Sequence, residues 1–312
     1  MSAVIASPIA SLRVNAVPAG GIERCDVDRD VIRGRRLDFS HKFMPDGLSL
    51  MPRLPFLTAR ERCLASQVQG RTYANVFRVV ERLLSTNTRE LVRRHLAAMP
   101  RAFDALARFL DEELRYENLF RQVEMLTAEG MAPGYDFVPH TKDIAPFVID
   151  KSTWGILALI CHVETVTQEH YRYSIEHDAQ LSGLWKDVFF FHWREASLHA
   201  ILDEMQWECA DSVLGGAERT KAVDDFIELI EGIDALLLFQ APSDVEYFVG
   251  ACGRAFTSSE VTELHATFLA AYRYQYVACG MRAPRFVQVL ERLVGRDELA
   301  RLSAELAPIV GP

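Results

Sequence analysis

On a helical wheel at about 100° per residue, His192, Ala196, His199 and Asp203 of HWREASLHAILD share one narrow stripe. Glu195 lies at its edge, roughly 60° from His192 by the same geometry. A helix that faces a bundle core normally fills such a stripe with Leu, Val or Phe. Imidazoles and a carboxylate placed there need partners, because burying an unpaired polar group is costly. A single histidine in this setting is most simply a core residue bonded to the backbone. Two on one stripe, with matching carboxylates on other helices, point towards metal ligation. Asp203, one turn past His199, is placed either to orient that imidazole or to sit in solvent.

The matching carboxylates are present. Glu81 interrupts the apolar face of NVFRVVERLL, and Glu113 lies in FLDEELRYENLF with Tyr116 three residues on. Glu164 sits inside LALICHVETV. Each alone reads as a surface charge or half of an ion pair. Four helices that each turn a carboxylate or histidine inward form the arrangement that holds two iron or manganese ions in a bundle core. Carboxylates balance the charge, and imidazoles leave coordination positions open.

The elements that must position these residues are helical throughout. Apolar residues recur at three- and four-residue spacing from about Thr58. TARERCLASQVQGRTYANVFRVVERLL predicts a long helix broken or started near Gly70, then a short helix over TRELVRRHLAAM stopped by Pro100. RAFDALARFLDEELRYENLFRQVEML is amphipathic and ends before AEGMAPGYDF, a Gly- and Pro-dense loop. A third long helix follows Ser152 as its N-cap, and a fourth runs from about Leu184 to Cys209. KAVDDFIELIEGIDALLLF and SSEVTELHATFLAAYRYQYVACG are helical as well, and alternating strand patterns are absent. The reading is all-α: an N-terminal arm over 1–52 and a single helical domain over 53–312. Within that domain a four-helix bundle core spans about 58–210, and a helical extension spans about 218–308.

Composition bounds the function classes. The chain has 312 residues, 49% of them hydrophobic, which supports a substantial core and excludes a disordered chain. A net charge of -9, with RGRR at 33–36 the only tight basic cluster, argues against nucleic acid as a partner. Six dispersed cysteines without a CxxC pair fit free thiols in a reducing cytosol. The first residues lack the basic start and continuous apolar core of a signal peptide. WGILALIC is too short to span a bilayer. A cytoplasmic protein is expected.

The order Glu81, Glu113 with a ring residue three later, Glu164, then His192 and His199 resembles the ferritin-like di-iron carboxylate proteins. His192, placed before the last motif, is similar to the ligand order of the p-aminobenzoate N-oxygenase group. LPFLTARERCLASQVQGRTY, DEELRYENLF, VFFFHWREASLHAILDE and AYRYQYV resemble an uncharacterised bacterial ferritin-like family over most of residues 50–290. The resemblance implies a ferritin-like four-helix bundle that carries one or two iron ions, with manganese as the alternative. It further implies an oxidase or oxygenase that acts on a small organic molecule with O2. Glu81, Glu113, Glu164, His192 and His199 are the implied ligands, with Glu195 as a further candidate. A homodimer is compatible with this reading, and a membrane partner is not expected.

Two positions depart from the family pattern. Glu-x-x-His on the second helix becomes Glu113 with Tyr116, and the first position of the same pair on the fourth helix is Ala196. Tyr116 then acts as a substitute ligand or as a hydrogen-bonding neighbour. The alternative is a ferritin-like scaffold with a degenerate metal site, a binding or interaction protein without catalysis.

Other motifs carry less. Glu169-His170 and Glu176-His177 are adjacent pairs, which point about 100° apart on a helix and read as surface. HWREASLH lacks the His-Glu-x-x-His of zinc proteases, and no phosphate loop or nucleophile elbow is present.

Overall fold

The computed structural model describes residues 26–95, 100–139 and 141–311; side chains at 84–113, 141–143, 195 and 198 lie outside it. Residues 1–25 of the expected arm are likewise outside the described residues. The described chain is all-helical, and its only extended pairing is an isolated bridge between Lys42 and Leu181.

The first long helix, α1 (Ala59–His95), opens on a capping box. Glu61 N–H donates to Thr58 Oγ1 at 3.3 Å and Thr58 N–H donates to Glu61 Oε2 at 2.7 Å. The helix runs unbroken through Gly70, where the sequence predicts an interruption. A Cβ at Gly70 would stand 2.6 Å from the Cβ of Phe43. The glycine therefore serves close approach, letting the segment before the helix press onto it. That segment contributes the buried Phe43, Met44, Leu48 and Met51 to the core, and Phe43 stacks on Trp185 with ring centroids 5.1 Å apart.

Helix α1 also continues through TRELVRRH without a second start. Pro100 opens the next helix, α2 (Pro100–Gly130), instead of ending one. A proline at a first helical position has no N–H to lose, which explains the reversal. The two helices run antiparallel, joined by Arg71, whose Nε and Nη2 donate to Glu124 Oε1 at 3.1 and 2.7 Å. Asn75 Nδ2 adds a bond of 2.8 Å to Glu124 Oε2.

A connection over 131–152, which contains the short α3 (Thr141–Ile149), leads to α4 (Thr153–His170). Ser152 caps α4 as the sequence predicts, its Oγ accepting from Gly155 N–H at 3.2 Å. After a π-helical turn at Tyr171–Ile175 the chain returns antiparallel as α5 (Gly183–Asp211). Ser197 Oγ on α5 donates to Gln168 Oε1 on α4 at 2.8 Å. Tyr73 of α1 meets Phe189 of α5, and Phe77 of α1 meets His192 of α5. Rising numbers on both sides show that α1 and α5 run parallel. The four long helices thus form two antiparallel hairpins with one long crossover between them.

Helices α6 (Gly216–Cys252), α7 (Ser258–Arg273), α8 (Pro284–Val294) and α9 (Arg296–Val310) follow. Trp154, Trp207, Phe226 and Phe286, with Leu302 and Leu306, bury α6, α8 and α9 against α4 and α5, whereas Leu264, Phe268 and Tyr272 of α7 join the core that holds Phe43 and Trp185. Helix α6 also holds the crossover, since Tyr247 OH donates to Ala132 O at 2.6 Å and Gln240 Oε1 accepts from Val138 N–H at 2.9 Å. Among the described residues no helix is long and apolar enough to cross a membrane.

Candidate metal centre

All four residues of the α5 stripe are buried, His192, Ala196, His199 and Asp203 being 6%, 3%, 7% and 1% exposed. Helical periodicity alone aims them inward, because α5 packs on both α1 and α4. His192 Nε2 lies 2.9 Å from Glu81 Oε1, with the glutamate 5% exposed. An ionised carboxylate has only acceptors, so in this pair the imidazole donates from Nε2. The rings of Phe77 and Phe120 stand edge-on to His192 at 5.2 and 5.0 Å, and that of Tyr116 lies 5.1 Å away. These rings surround the pair with apolar surface.

Two turns on, His199 Nδ1 lies 4.0 Å from Glu164 Oε1 of α4, both side chains buried. Seven residues of α-helix separate the two pairs by roughly 10 Å along α5. Ala196, on the level between them, offers a methyl group and no donor atom. Asp203 Oδ1 accepts from Gln206 Nε2 at 3.1 Å. Tyr116 OH donates to the backbone carbonyl of Phe191 at 3.1 Å, so the hydroxyl engages α5 itself. Arg115, Tyr116, Val27, Val31 and Leu119 line a shallow hollow with no enclosed space for a ligand.

The structure thus brings together four of the ligand-type residues that the sequence singles out: Glu81, Glu164, His192 and His199, from three helices. Glu113 and Glu195 sit on helices α2 and α5, but their side chains lie outside the described residues. Among the described residues the ligand types meet in pairs, and no group of three could hold a metal ion. The donor types, two carboxylates and two imidazoles in a dry setting, fit iron or manganese chemistry. Each level then supplies two of the donors an ion requires.

Three buried polar residues escape the sequence reading. His170, read there as surface, is 1% exposed and lies 2.7 Å through Nδ1 from Tyr73 OH. Burial lowers its pKa to about 3. His162 is fully buried against the carbonyl of Tyr276, 3.0 Å from Nε2, and burial lowers its pKa to about 4. Asp244 of α6 accepts from Thr72 Oγ1 at 2.6 Å, Gln240 Nε2 at 2.8 Å and Tyr272 OH. Burial raises its pKa to about 7 against these three bonds. His162, in the apolar LALICHVETV, is the one with a visible signal.

Comparison with protein-family models, with curated proteins and with solved structures finds no match for this chain.

Proposed function

We propose that the chain is a ferritin-like bundle that holds iron between α1, α4 and α5 and oxidises a small organic molecule with O2. The observation that carries this reading is the meeting of Glu81 with His192 and of Glu164 with His199 inside one bundle. Two carboxylates and two imidazoles on facing helices are the donor types that iron or manganese takes. Two antiparallel hairpins with one long crossover, α1 parallel to α5, agree with the ferritin-like topology.

Bound iron would supply the capacity to bind and reduce O2, which no side chain has. Glu81 and Glu164 would balance its charge. His192 would ligate through Nε2 and His199 through Nδ1, the atoms that face the glutamates. Phe77 and Phe120 exclude water from the first pair. One or two ions fit this donor set, and manganese is the alternative metal.

A second reading, a ferritin-like scaffold with a degenerate site, draws on one observation. Glu81 and His192 already satisfy each other at 2.9 Å, and Ala196 adds no donor between the pairs. Oxygen uptake separates the two. Anaerobically loaded with Fe(II) and then mixed with O2, the wild-type chain should consume oxygen in proportion to bound iron, and His199→Ala should not. Equal uptake by both would favour the scaffold.

A further inference from the structure

We infer that Asp244 is a pH-sensitive latch on the crossover between the two hairpins, seating residues 131–139 when protonated and releasing them when ionised. This stretch of the crossover is not helical, and residues 132–134 and 136 are exposed. Side chains of α1 and α6 hold it. Ser243 Oγ and Gln240 Nε2 donate to Asp136 O at 3.2 and 3.1 Å, and Gln240 Oε1 accepts from Val138 N–H. The Arg71 guanidinium stands over the Tyr135 ring, 4.1 Å from its centroid, and Tyr135 OH lies 2.9 Å from Thr72 Oγ1.

Two of these holders, Gln240 and Thr72, are themselves bonded to Asp244. Gln240 Nε2 donates to Oδ1 at 2.8 Å, and Thr72 Oγ1 stands 2.6 Å from Oδ2, which Tyr272 OH of α7 also reaches. Asp244, Thr72 and Tyr272 are wholly buried and Gln240 is almost so. The carboxyl thus sits behind the crossover, one side chain removed from it along two routes.

What faces the carboxyl decides where its proton goes. Oδ1 meets an amide N–H, which can only donate, so a proton belongs on Oδ2, between two hydroxyls that can accept it. Once Asp244 ionises, those hydroxyls and the amide are its only donors among the described residues. The cation that acts on it, Arg71, is already engaged by Glu124 of α2. Its other titratable neighbours, Tyr135, Tyr272 and Tyr276, are phenols that burial pushes well above their usual range and so keeps neutral. A buried carboxylate without a cation of its own gains by reaching water. The segment that shares its holders and already faces solvent is the crossover.

The sign follows from linkage. Burial raises the Asp244 carboxyl from 3.8 to about 7 while the crossover is seated, and contact with water returns it towards the ordinary value. The bound proton therefore favours the seated state, fully below the ordinary value, and this contribution is lost as pH rises through about 7. Local opening becomes about tenfold easier from pH 5 to 6 and levels off above about pH 8. The bundle has the opposite trend over that first unit, because the buried His162 and His170 refuse protons that the unfolded chain binds. The latch involves no metal, so it stands or falls apart from the iron reading.

Hydrogen–deuterium exchange of the full-length chain from pH 5 to 8.5 tests the latch, read by mass spectrometry and corrected for intrinsic exchange at each pH. Peptides covering residues 131–139 should lose protection about tenfold from pH 5 to 6 and change little above about pH 8, while peptides of α4 and α5 show no such loss. Asp244→Asn copies the protonated acid, with an acceptor towards Gln240 and a donor towards the two hydroxyls, but cannot titrate. It should keep crossover protection constant across the range. Wild-type crossover protection that is flat with pH, that follows α4 and α5, or that falls equally in Asp244→Asn would overturn the inference. Should Asp244→Asn not fold, the wild-type crossover slope measured against α4 and α5 decides alone.

Discussion

His192 Nε2 stands 2.9 Å from Glu81 Oε1, and this one contact ties the fourth bundle helix to the first across a layer of aromatic rings. Both groups are almost wholly buried. Removing one takes a direct partner from a buried polar group. Glu81→Ala and His192→Ala should each destabilise the metal-free chain by about 3–5 kcal/mol. The double variant should cost less than their sum. Urea unfolding of the four proteins measures the coupling, and a value below about 0.5 kcal/mol would show that the contact contributes little.

Tyr116 is expected to support the site without ligating. Its hydroxyl donates to the Phe191 carbonyl on α5 at 3.1 Å. Tyr116→Phe should cost about 1 kcal/mol of stability and leave iron per chain unchanged. A drop in bound iron matching that of His199→Ala would make the phenol a ligand.

Gly70 fixes how closely the segment before α1 sits on the bundle. An alanine there would place its Cβ 2.6 Å from Phe43 Cβ, in contact as well with the Trp185 ring. Gly70→Ala should destabilise by about 1–3 kcal/mol as an overpacked core position. Protease cleavage within residues 40–50 should rise as the segment lifts. An unchanged melt would mean that Phe43 yields without loss.

The pH dependence of folding should carry the signature of three buried groups. Burial holds Asp244 at about 7, His162 at about 4 and His170 at about 3, against ordinary values of 3.8 and 6.5. The raised carboxyl binds a proton in the folded chain that the unfolded chain has released. The depressed imidazoles refuse two protons that the unfolded chain binds. Between about pH 5 and 6 the unfolded chain thus holds up to about one proton more, and stability rises with pH by up to ~1.4 kcal/mol per unit. Asp244→Asn removes the opposing proton and should steepen that slope to about 2–2.5 kcal/mol per unit. Urea midpoints across this range test it, and an unaltered slope would place the protonation of Asp244 elsewhere.

Helical periodicity made the fold class and the α5 stripe readable from sequence. His192, Ala196, His199 and Asp203 are buried where a wheel puts them, and Ser152 caps α4 as local chemistry demands. Punctuation misled where tertiary contact decided. Gly70 marks a close approach to Phe43 and not a break, and Pro100 begins a helix because its missing N–H costs nothing there. His170 reads as surface because it and its neighbour Glu169 point about 100° apart on a helix and so do not converge on one site. Its partner, Tyr73, lies 97 residues away and has no local signal. Asp244 is likewise defined by Thr72 and Tyr272 from two other helices. Of the proposed ligands, Glu81, Glu164, His192 and His199 meet as pairs, which spacing on single helices could suggest but not show.

The most direct test of the iron reading is metal per chain by inductively coupled plasma mass spectrometry. The protein would be expressed with added iron and purified without chelator. The account predicts about one to two iron ions per chain, falling to background in Glu81→Ala and His199→Ala. Background iron in the wild type, repeated after anaerobic loading with Fe(II), would contradict it.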